Sequence, residues 1–339
     1  MKLILRLRLF LLISLVASSA CFAGDDVNIL FLGNSFTFRH ELPDLVETVL
    51  EEGDPDTNVN VKRITYGGQN MFKHSTYYFS QTFIEQSTIT NEEIEARIEK
   101  MKALLELNQP PNLDEWTAHS KSLHSGEIPP FKKIHSHIAS AIRNHEELLK
   151  ENPKTKWDYV VMQSYQDVSA DPKQAYGKYT TLLAKTIREN GAEVILYMTS
   201  PKTQNAKPVT EPQRVDEADK DIAVGLALAE SLKPRAIVSV PLAIKMIQTG
   251  GTDLTFRYVN DGHPNQTCAF LTSNLFYAAM TGKSPEGFAY NTVVETKVKR
   301  GKNPDGGEVK KVFDEATKLK IQKAAFDAAK EFNWLATAE

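Results

Sequence analysis

Short apolar runs alternate with amphipathic stretches along most of the chain. The runs have the length of strands buried on both faces, whereas the stretches between them repeat apolar residues at helical spacing. The runs predict strands at 27–32, 158–164, 192–200 and 235–240, and the more polar segment 59–66, closed by Gly67-Gly68, is predicted as a further strand. The amphipathic stretches predict helices at 42–53, 173–191 and 215–232. Because strand and helix alternate, we predict an α/β fold, a three-layer α/β/α sandwich around a central parallel sheet.

Two regions exceed a minimal sheet of this kind. The first, about 75–155, contains predicted helices at 91–108 and 133–150, separated by a Pro-rich polar stretch that we predict to be a surface loop. The second begins at about 284 and carries an amphipathic helix at 313–332. We therefore predict one domain over 24–339, with a helical insertion and a C-terminal helical extension.

The first 23 residues have the pattern of a signal peptide. Lys2, Arg6 and Arg8 precede an apolar core that is too short to span a bilayer. We predict cleavage after Ala23 and export to the periplasm or the medium, without stable membrane insertion. Lipid attachment at Cys21 is the alternative, and it is disfavoured because no aliphatic residue lies three positions before this cysteine.

Composition excludes some classes of function. The chain has 339 residues, a formal net charge of −3 and a pI near 6.3, which argues against a nucleic-acid partner. Its two cysteines are Cys21 and Cys268, so cleavage of the signal leaves no internal disulfide. Cys268 lies in an apolar helical pattern and is predicted to be a buried small side chain.

Polar residues and glycines follow the first three predicted strands. Asn34 and Ser35 follow the first, Gly67 and Gly68 the second, and Gln163 ends the third. In a parallel sheet, ligands bind beyond the carboxyl ends of the strands, so these groups gather at one edge. Together they supply a hydroxyl, backbone N–H groups and an amide, which acyl transfer requires. The alternatives are a serine that caps a helix and a glycine pair that forms a plain turn.

A serine nucleophile needs a base, and His263 is the candidate. Of eight histidines it alone follows the third strand, in the loop "YVNDGHPNQT". Asp261 lies two residues before it and Asn260 three before it. A loop histidine near a carboxylate is typical of a base that must be oriented. A histidine packed on Pro264 is the structural alternative.

Four blocks resemble those of the SGNH (GDSL-type) hydrolases and occur in the same order. "FLGNSFT" resembles the nucleophile block, and "YGGQNMFKH" resembles the glycine block of the GNSFT-type branch. "VVMQSYQD" resembles the third block, with glutamine where many members have asparagine. "NDGHPNQTCAFLTSNLFYAAMTGKSP" resembles the histidine block and its following helix. The resemblance covers roughly 27–72 and 157–283 and implies the SGNH-hydrolase fold, which is flavodoxin-like, and ester hydrolysis.

The resemblance also implies roles for individual residues. Ser35 would be the nucleophile and His263 the base, with an oxyanion hole formed by the N–H groups of Ser35 and Gly68 and by the amide of Gln163. The further pocket candidates that it implies are Asn34, Gly67, His74 and Asn260. The family usually places its aspartate three residues before the histidine, where this chain has Asn260. Either Asp261 reaches the imidazole from two residues away, or the site is a Ser-His dyad.

No cofactor or metal is expected. The insertion contains His119, His124, His135 and His137, but the last two lie on different faces of a helix. No HExxH motif, P-loop or strand-linked GxGxxG is present.

The sequence therefore predicts a secreted serine esterase. It would remove an acyl group, acetyl by the resemblance, from a small-molecule or polysaccharide ester. A lipid esterase, an acyltransferase and a non-catalytic glycan-binding protein on the same fold are the alternatives. The oligomeric state is left open.

Overall fold

A computed structural model describes residues 26–124, 126–210 and 216–337. Its main sheet has five parallel strands in the order β2-β1-β3-β4-β5. The strands are β1 (Val27–Gly33), β2 (Val59–Thr65), β3 (Tyr159–Ser164), β4 (Glu193–Met198) and β5 (Ala236–Ser239). This is the 2-1-3-4-5 order of doubly wound, flavodoxin-like sheets. The predicted fold class is confirmed, and each predicted strand is present within two residues of its expected bounds.

Both faces of the sheet are covered. In β1, Leu30 and Leu32 point to one face and Ile29 and Phe31 to the other, and all four are fully buried. Phe31 contacts Phe276 of a helix on its face, with ring centroids 5.7 Å apart. Continuous burial explains why β1, β3, β4 and β5 appear in the sequence as apolar runs, whereas β2, at the edge of the sheet, is partly exposed and carries polar residues.

Helices surround the sheet, and two further turns are 3₁₀ helices at Arg39–Glu41 and His135–His137. The helices are α1 (Ser35–Phe38), α2 (Leu42–Gly53), α3 (Met71–Thr76), α4 (Gln81–Ile84), α5 (Asn91–Glu106), α6 (Leu113–Leu123), α7 (Phe131–Ile134), α8 (Ile138–Leu148), α9 (Ala175–Glu189), α10 (Asp216–Leu232), α11 (Val240–Thr249), α12 (Gln266–Thr281) and α13 (Glu315–Thr337). Helix α12 packs against α2, α13 and β5, whereas α9 packs against α3, α4 and β4.

Two expectations for the region 75–155 are wrong in detail. The stretch predicted as a surface loop contains α6, because Trp116 anchors one face of that helix in the core beside Tyr77 and Phe131. Tertiary packing of one large ring outweighs a polar, Pro-flanked composition. The predicted helix 133–150 is broken by the 3₁₀ turn at His135–His137 and continues as α8.

The C-terminal part adds a small sheet and a long helix. Strands β6 (Thr292–Val294) and β7 (Lys310–Val312) pair antiparallel, and α13 packs on α12 and α11. The predicted helix at 313–332 is present two residues later and runs further. The backbone after β6 is held by Glu295 N–H, which donates to Val309 O at 2.8 Å. This segment returns to the carboxyl edge of the main sheet.

Expectations about the N-terminus lie outside the described residues, including cleavage after Ala23 and lipid attachment at Cys21. Within the described ranges, none of the helices has the length and apolar character needed to cross a bilayer. Cys268 is buried as predicted, and burial raises the pKa of its thiol to about 12.

Candidate active site

The turn after β1 presents Ser35 at the start of α1. Asn34, not Ser35, is the N-cap: its side-chain oxygen accepts from Phe36 N–H at 3.0 Å. Ser35 is the first residue of the helix and is 7% exposed. The interpretation of Ser35 as a mere cap is therefore wrong, because its neighbour does that work and leaves the hydroxyl for another partner.

Gly33 makes this turn possible because the amide of Gln163 packs against its α-carbon. A β-carbon at position 33 would lie 2.5 Å from Thr37 Oγ1 and 2.7 Å from Gln163 Oε1. That Oε1 accepts from Asn34 N–H and from the Thr37 hydroxyl, both at 3.0 Å. The glycine is thus required by the close approach of a side chain that holds the turn carrying Ser35.

Ser35, His263 and Asp261 form one hydrogen-bonded line. Ser35 Oγ lies 2.8 Å from His263 Nε2, across 228 residues of chain. His263 Nδ1 is hydrogen-bonded to Asp261 Oδ1, which also accepts from His263 N–H at 3.2 Å. The last contact is an Asx-type turn, in which an aspartate accepts from the backbone two residues ahead. This turn is how an acid at the minus-two position reaches the imidazole.

Asn260, at the position where the resembling family carries its acid, is directed elsewhere. It is exposed, and its N–H donates to the Asp305 carboxylate at 2.8 Å. The neighbouring Val259 N–H donates to the same carboxylate at 2.9 Å. Asp305 thus fixes the loop backbone, and of the two predicted candidates the structure brings only Asp261 to the base.

Asp261 is held in its ionised form. Burial by itself would raise its pKa, but hydrogen bonds from His263, Lys297 and Arg39 outweigh this and hold the pKa of the carboxyl well below its usual range. Arg39 Nη1 lies 3.2 Å and Lys297 Nζ 2.9 Å from Asp261 Oδ2. A carboxylate that stays charged is what an orienting acid needs.

The glycine loop after β2 lies directly beside this turn. Tyr66 N–H donates to Gly33 O at 3.1 Å, and the Asn34 side chain donates to Gln69 O at 2.9 Å. Gly68 has φ +67, and a β-carbon there would meet nothing within 4 Å, so the loop faces open space. Among the described residues, the Ser35 and Gly68 N–H groups have no acceptor within hydrogen-bond distance. Two backbone donors are therefore free on neighbouring loops, one of them on Ser35 itself.

Gln163 occupies a different position from the one expected. Its Oε1 lies under the turn, and its Nε2 is buried with no partner among the described residues. An oxyanion donor must reach the surface where the substrate sits, and this amide nitrogen does not. The structure places Gln163 as a support for Asn34 N–H.

The remaining pocket candidates act as braces. His74 is fully buried, and burial lowers its pKa to about 4, so the ring is neutral. Its Nε2–H donates to Gly33 O at 2.9 Å, and its Nδ1 accepts from the Ser80 hydroxyl at 2.8 Å. The carbonyl of Gly67 accepts from His137 Nε2–H at 3.0 Å. Both histidines therefore stabilise the loops around Ser35.

Several residues at the site had no local signal in the sequence. Arg39 is 4% exposed and binds Glu295, whose side chain is fully buried, through two hydrogen bonds at 3.2 and 2.8 Å. Lys297 follows two residues later in the same C-terminal segment. Arg39 is followed two residues later by Glu41, and Glu295 has Lys297 two residues on, so no local signal indicates that Arg39 and Glu295 pair with each other.

A cavity of about 430 Å³ opens at the same sheet edge. Tyr165 lines it, and the Tyr165 ring packs 4.4 Å from Phe36, whose ring is 5.6 Å from that of His263. Besides Tyr165, the polar residues that line the cavity are Ser122, His124, Gln166, Ser200, Lys202, Glu217 and Asp221. The apolar residues that line it are Leu123, Val168 and Pro201. A polar recess is thus connected to His263 through the rings of Tyr165 and Phe36.

The other histidines of the insertion lie apart from this centre. His119 hydrogen-bonds the Asn70 side chain at 2.9 Å, and His135 packs edge-on against Phe131. Within the described part of the chain, no group of three or more histidine, cysteine or acidic side chains is arranged to hold a metal ion.

The close packing at position 33 gives a direct test. Gly33→Ala should displace the Gln163 amide, cost about 1–3 kcal/mol of unfolding free energy, and reduce ester hydrolysis about 10²-fold because Ser35 is moved. Thermal unfolding and rate measurements check this. Gly250→Ala, where a β-carbon meets nothing within 4 Å, is the matched control. Full activity in folded Gly33→Ala would contradict the role given to this contact.

Comparisons with known proteins give fold-level likenesses only. No family model and no curated protein matches the sequence. Among solved structures, a DUF4886 family protein from Bacteroides uniformis is 15% identical with a TM-score of 0.46, covering 90% of this chain and 95% of its own. A protein from Slackia heliotrinireducens described as "a putative SGNH hydrolase" is 18% identical with a TM-score of 0.38, covering 75% and 99%. At these values neither likeness carries an argument about function.

Proposed function

We propose that the protein is a serine ester hydrolase that removes an acyl group, acetyl in the first instance, from a carbohydrate outside the cytoplasm. The observation that carries the proposal is the line from Ser35 Oγ through His263 to the ionised Asp261. Nucleophile, base and orienting acid together are a sufficient set for covalent acyl transfer at neutral pH.

The proposed reaction has two steps. Ser35 Oγ attacks the acyl carbonyl while His263 Nε2 takes the hydroxyl proton. The resulting oxyanion accepts hydrogen bonds from the free N–H groups of Ser35 and Gly68, each worth about 10²–10³ in rate by comparison with known sites. The C–O bond to the sugar then breaks, and His263 returns the proton to the leaving alcohol. Water, deprotonated by His263, releases the acid and restores Ser35.

Gln163 has a supporting role in this proposal. By accepting from Asn34 N–H it sets the direction of the turn that carries Ser35. Removing it would leave that buried N–H unpaired, which typically costs about 1–3 kcal/mol. Gln163 thus acts on catalysis through the position of Ser35 and not as a third oxyanion donor.

The polar cavity favours a carbohydrate leaving group over a lipid. Hydroxyl, amide and carboxylate side chains line it, and Tyr165 offers an aromatic face that packs on Phe36, which in turn packs on His263. Sugars present hydroxyl groups and apolar C–H faces, which suit such a wall, whereas an acyl chain requires an apolar entrance. A non-catalytic glycan-binding protein would have no use for an ionised aspartate on His263.

A covalent probe tests the proposal. A fluorophosphonate should modify the protein once, with the label on the peptide that contains Ser35, because such probes report an activated serine. His263→Ala, which retains the hydroxyl and removes the base, should not be labelled. Release of acetate from acetylated polysaccharide, compared with release of long-chain acid from a lipid ester, then assigns the substrate. Equal labelling of wild type and His263→Ala would contradict an activated Ser35.

A further inference from the structure

Side chains from outside the loop of His263 bind the carboxylate of Asp261. Asp261 Oδ1 is occupied by the base and by His263 N–H, while Oδ2 receives Arg39 from the 3₁₀ turn after α1 and Lys297 from the segment after β6. The side chain of Asp261 is only 8% exposed. Both oxygens of the carboxylate are therefore fixed by named donors, and two of these donors come from opposite ends of the chain.

Arg39 is itself locked in place. Its Nε and Nη2 donate to the two oxygens of Glu295 at 3.2 and 2.8 Å, leaving Nη1 for Asp261. Glu295 Oε1 also accepts from Lys297 N–H at 2.6 Å. A bidentate arginine–carboxylate pair has a fixed plane, so Glu295 sets the direction in which Nη1 points.

A buried charge network of this kind adds little to the free energy of unfolding, because removing the charges from water costs about as much as their attraction returns. Its presence therefore suggests a role other than stability. Replacing a buried ion pair with well-packed apolar groups is often neutral or stabilising. Here the pair lies directly behind the one carboxylate that the base uses. The minus-two spacing gives a reason: the Asx-type turn fixes Oδ1, and without a partner on Oδ2 the carboxylate could rotate away from the imidazole.

We infer that Arg39, Glu295 and Lys297 are positioning residues that hold the Asp261 carboxylate against His263, so that the C-terminal segment completes the catalytic centre. The inference rests on the proposed esterase function where turnover is the readout. By this inference the C-terminal segment beyond residue 284, which the four resembling sequence blocks do not cover, is part of the site.

Charge gives the network a signature that a purely structural role lacks. The ionisable groups that face Asp261, its base and Glu295 are Ser35, His40, Arg39, Tyr258 and Lys297. Removing the positive charge of Lys297 favours protonation of the base, whereas removing the negative charge of Glu295 disfavours it. The pH of half-maximal activity on the acid side should therefore move in opposite directions in the two variants, by a few tenths of a pH unit.

The experiment compares Lys297→Met and Glu295→Gln with Lys299→Met, a control on the same exposed segment. We expect kcat to fall about two- to five-fold in Lys297→Met and about 10- to 100-fold in Glu295→Gln. KM should be unchanged in both variants. The pH of half-maximal activity on the acid side should rise in Lys297→Met and fall in Glu295→Gln. If Glu295→Gln does not fold, the double variant Arg39→Met/Glu295→Met removes both buried charges and should still show the fall in kcat.

A second readout does not depend on turnover. The low-field ¹H NMR resonance of the His263 Nδ1 proton should shift or broaden in Glu295→Gln and stay unchanged in Lys299→Met. If the folded variants keep wild-type kcat, acid limb and resonance, the inference is wrong even for an active esterase. If wild type hydrolyses no ester, the proposed function fails, and the resonance alone decides whether the network positions Asp261.

Discussion

Replacing Ser35 with alanine should reduce hydrolysis of p-nitrophenyl acetate by about 10⁴-fold or more. The Ser35 hydroxyl is the atom in contact with the base, at 2.8 Å, and alanine removes the nucleophile while leaving the oxyanion donors in place. The fold should be little affected, because Asn34 and not Ser35 caps α1. The expected loss of unfolding free energy is about 1 kcal/mol, the value of one hydrogen bond. Initial rates and a thermal melt measure both quantities.

The control for this substitution is another serine at the same sheet edge. Ser239 ends β5, is buried, and has a hydroxyl with no partner among the described residues. Ser239→Ala should keep the wild-type rate. Equal rates for wild type and a folded Ser35→Ala would remove the basis of the esterase proposal and favour a binding protein on the same fold.

If the proposed function is right, replacing Asp261 with asparagine should lower kcat by about 10⁴-fold, as loss of the orienting acid does in serine proteases. The amide can present its N–H to the ring and so favour the imidazole tautomer that cannot accept the Ser35 proton. Asn260→Ala is the matched control, because Asn260 is exposed and is held through its backbone N–H by Asp305. Its rate should equal that of wild type.

The same pair of variants separates a triad from a dyad. Retention of the wild-type rate in Asp261→Asn would show that His263 works without this acid.

A pH series adds a check on stability. Because the pKa of Asp261 is depressed in the folded state, its stabilising contribution is present above the unfolded pKa of about 3.9 and is lost as the pH falls through the folded pKa. The wild-type advantage in unfolding free energy over Asp261→Asn should therefore shrink in strong acid.

Local patterns predicted the sheet, and they predicted that Ser35, His263 and Asp261 would lie together, as they do in the structure. Strands β1, β3, β4 and β5 are buried on both faces, so their apolar runs are continuous, and glycine or a polar residue marks or follows the end of each. Since parallel strands end at one edge, Ser35 and Gly68 could be placed together without knowledge of their contacts. His263 followed because it is the only histidine beyond the third strand.

Long-range pairings and orientations were beyond the sequence. Arg39 and Glu295 lie 256 residues apart, and no local pattern indicates that two charges will be buried against each other. The direction of the Gln163 amide depends on packing against Gly33, which only the assembled turn defines. Helix α6 depends on where Trp116 finds a core, which composition does not reveal.

The contact between Ser35 and His263 spans 228 residues, and this sets when the site can exist. A ribosome adds about 5–20 residues per second, so roughly 10–45 s separate the synthesis of these two residues. During that interval the growing chain carries a serine with no base. An early, partly folded product should therefore be chemically inert toward esters, and activity should appear only when synthesis has passed the catalytic loop and the segment around Glu295. A nascent-chain series would show esterase activity as a late step and not as a gradual rise.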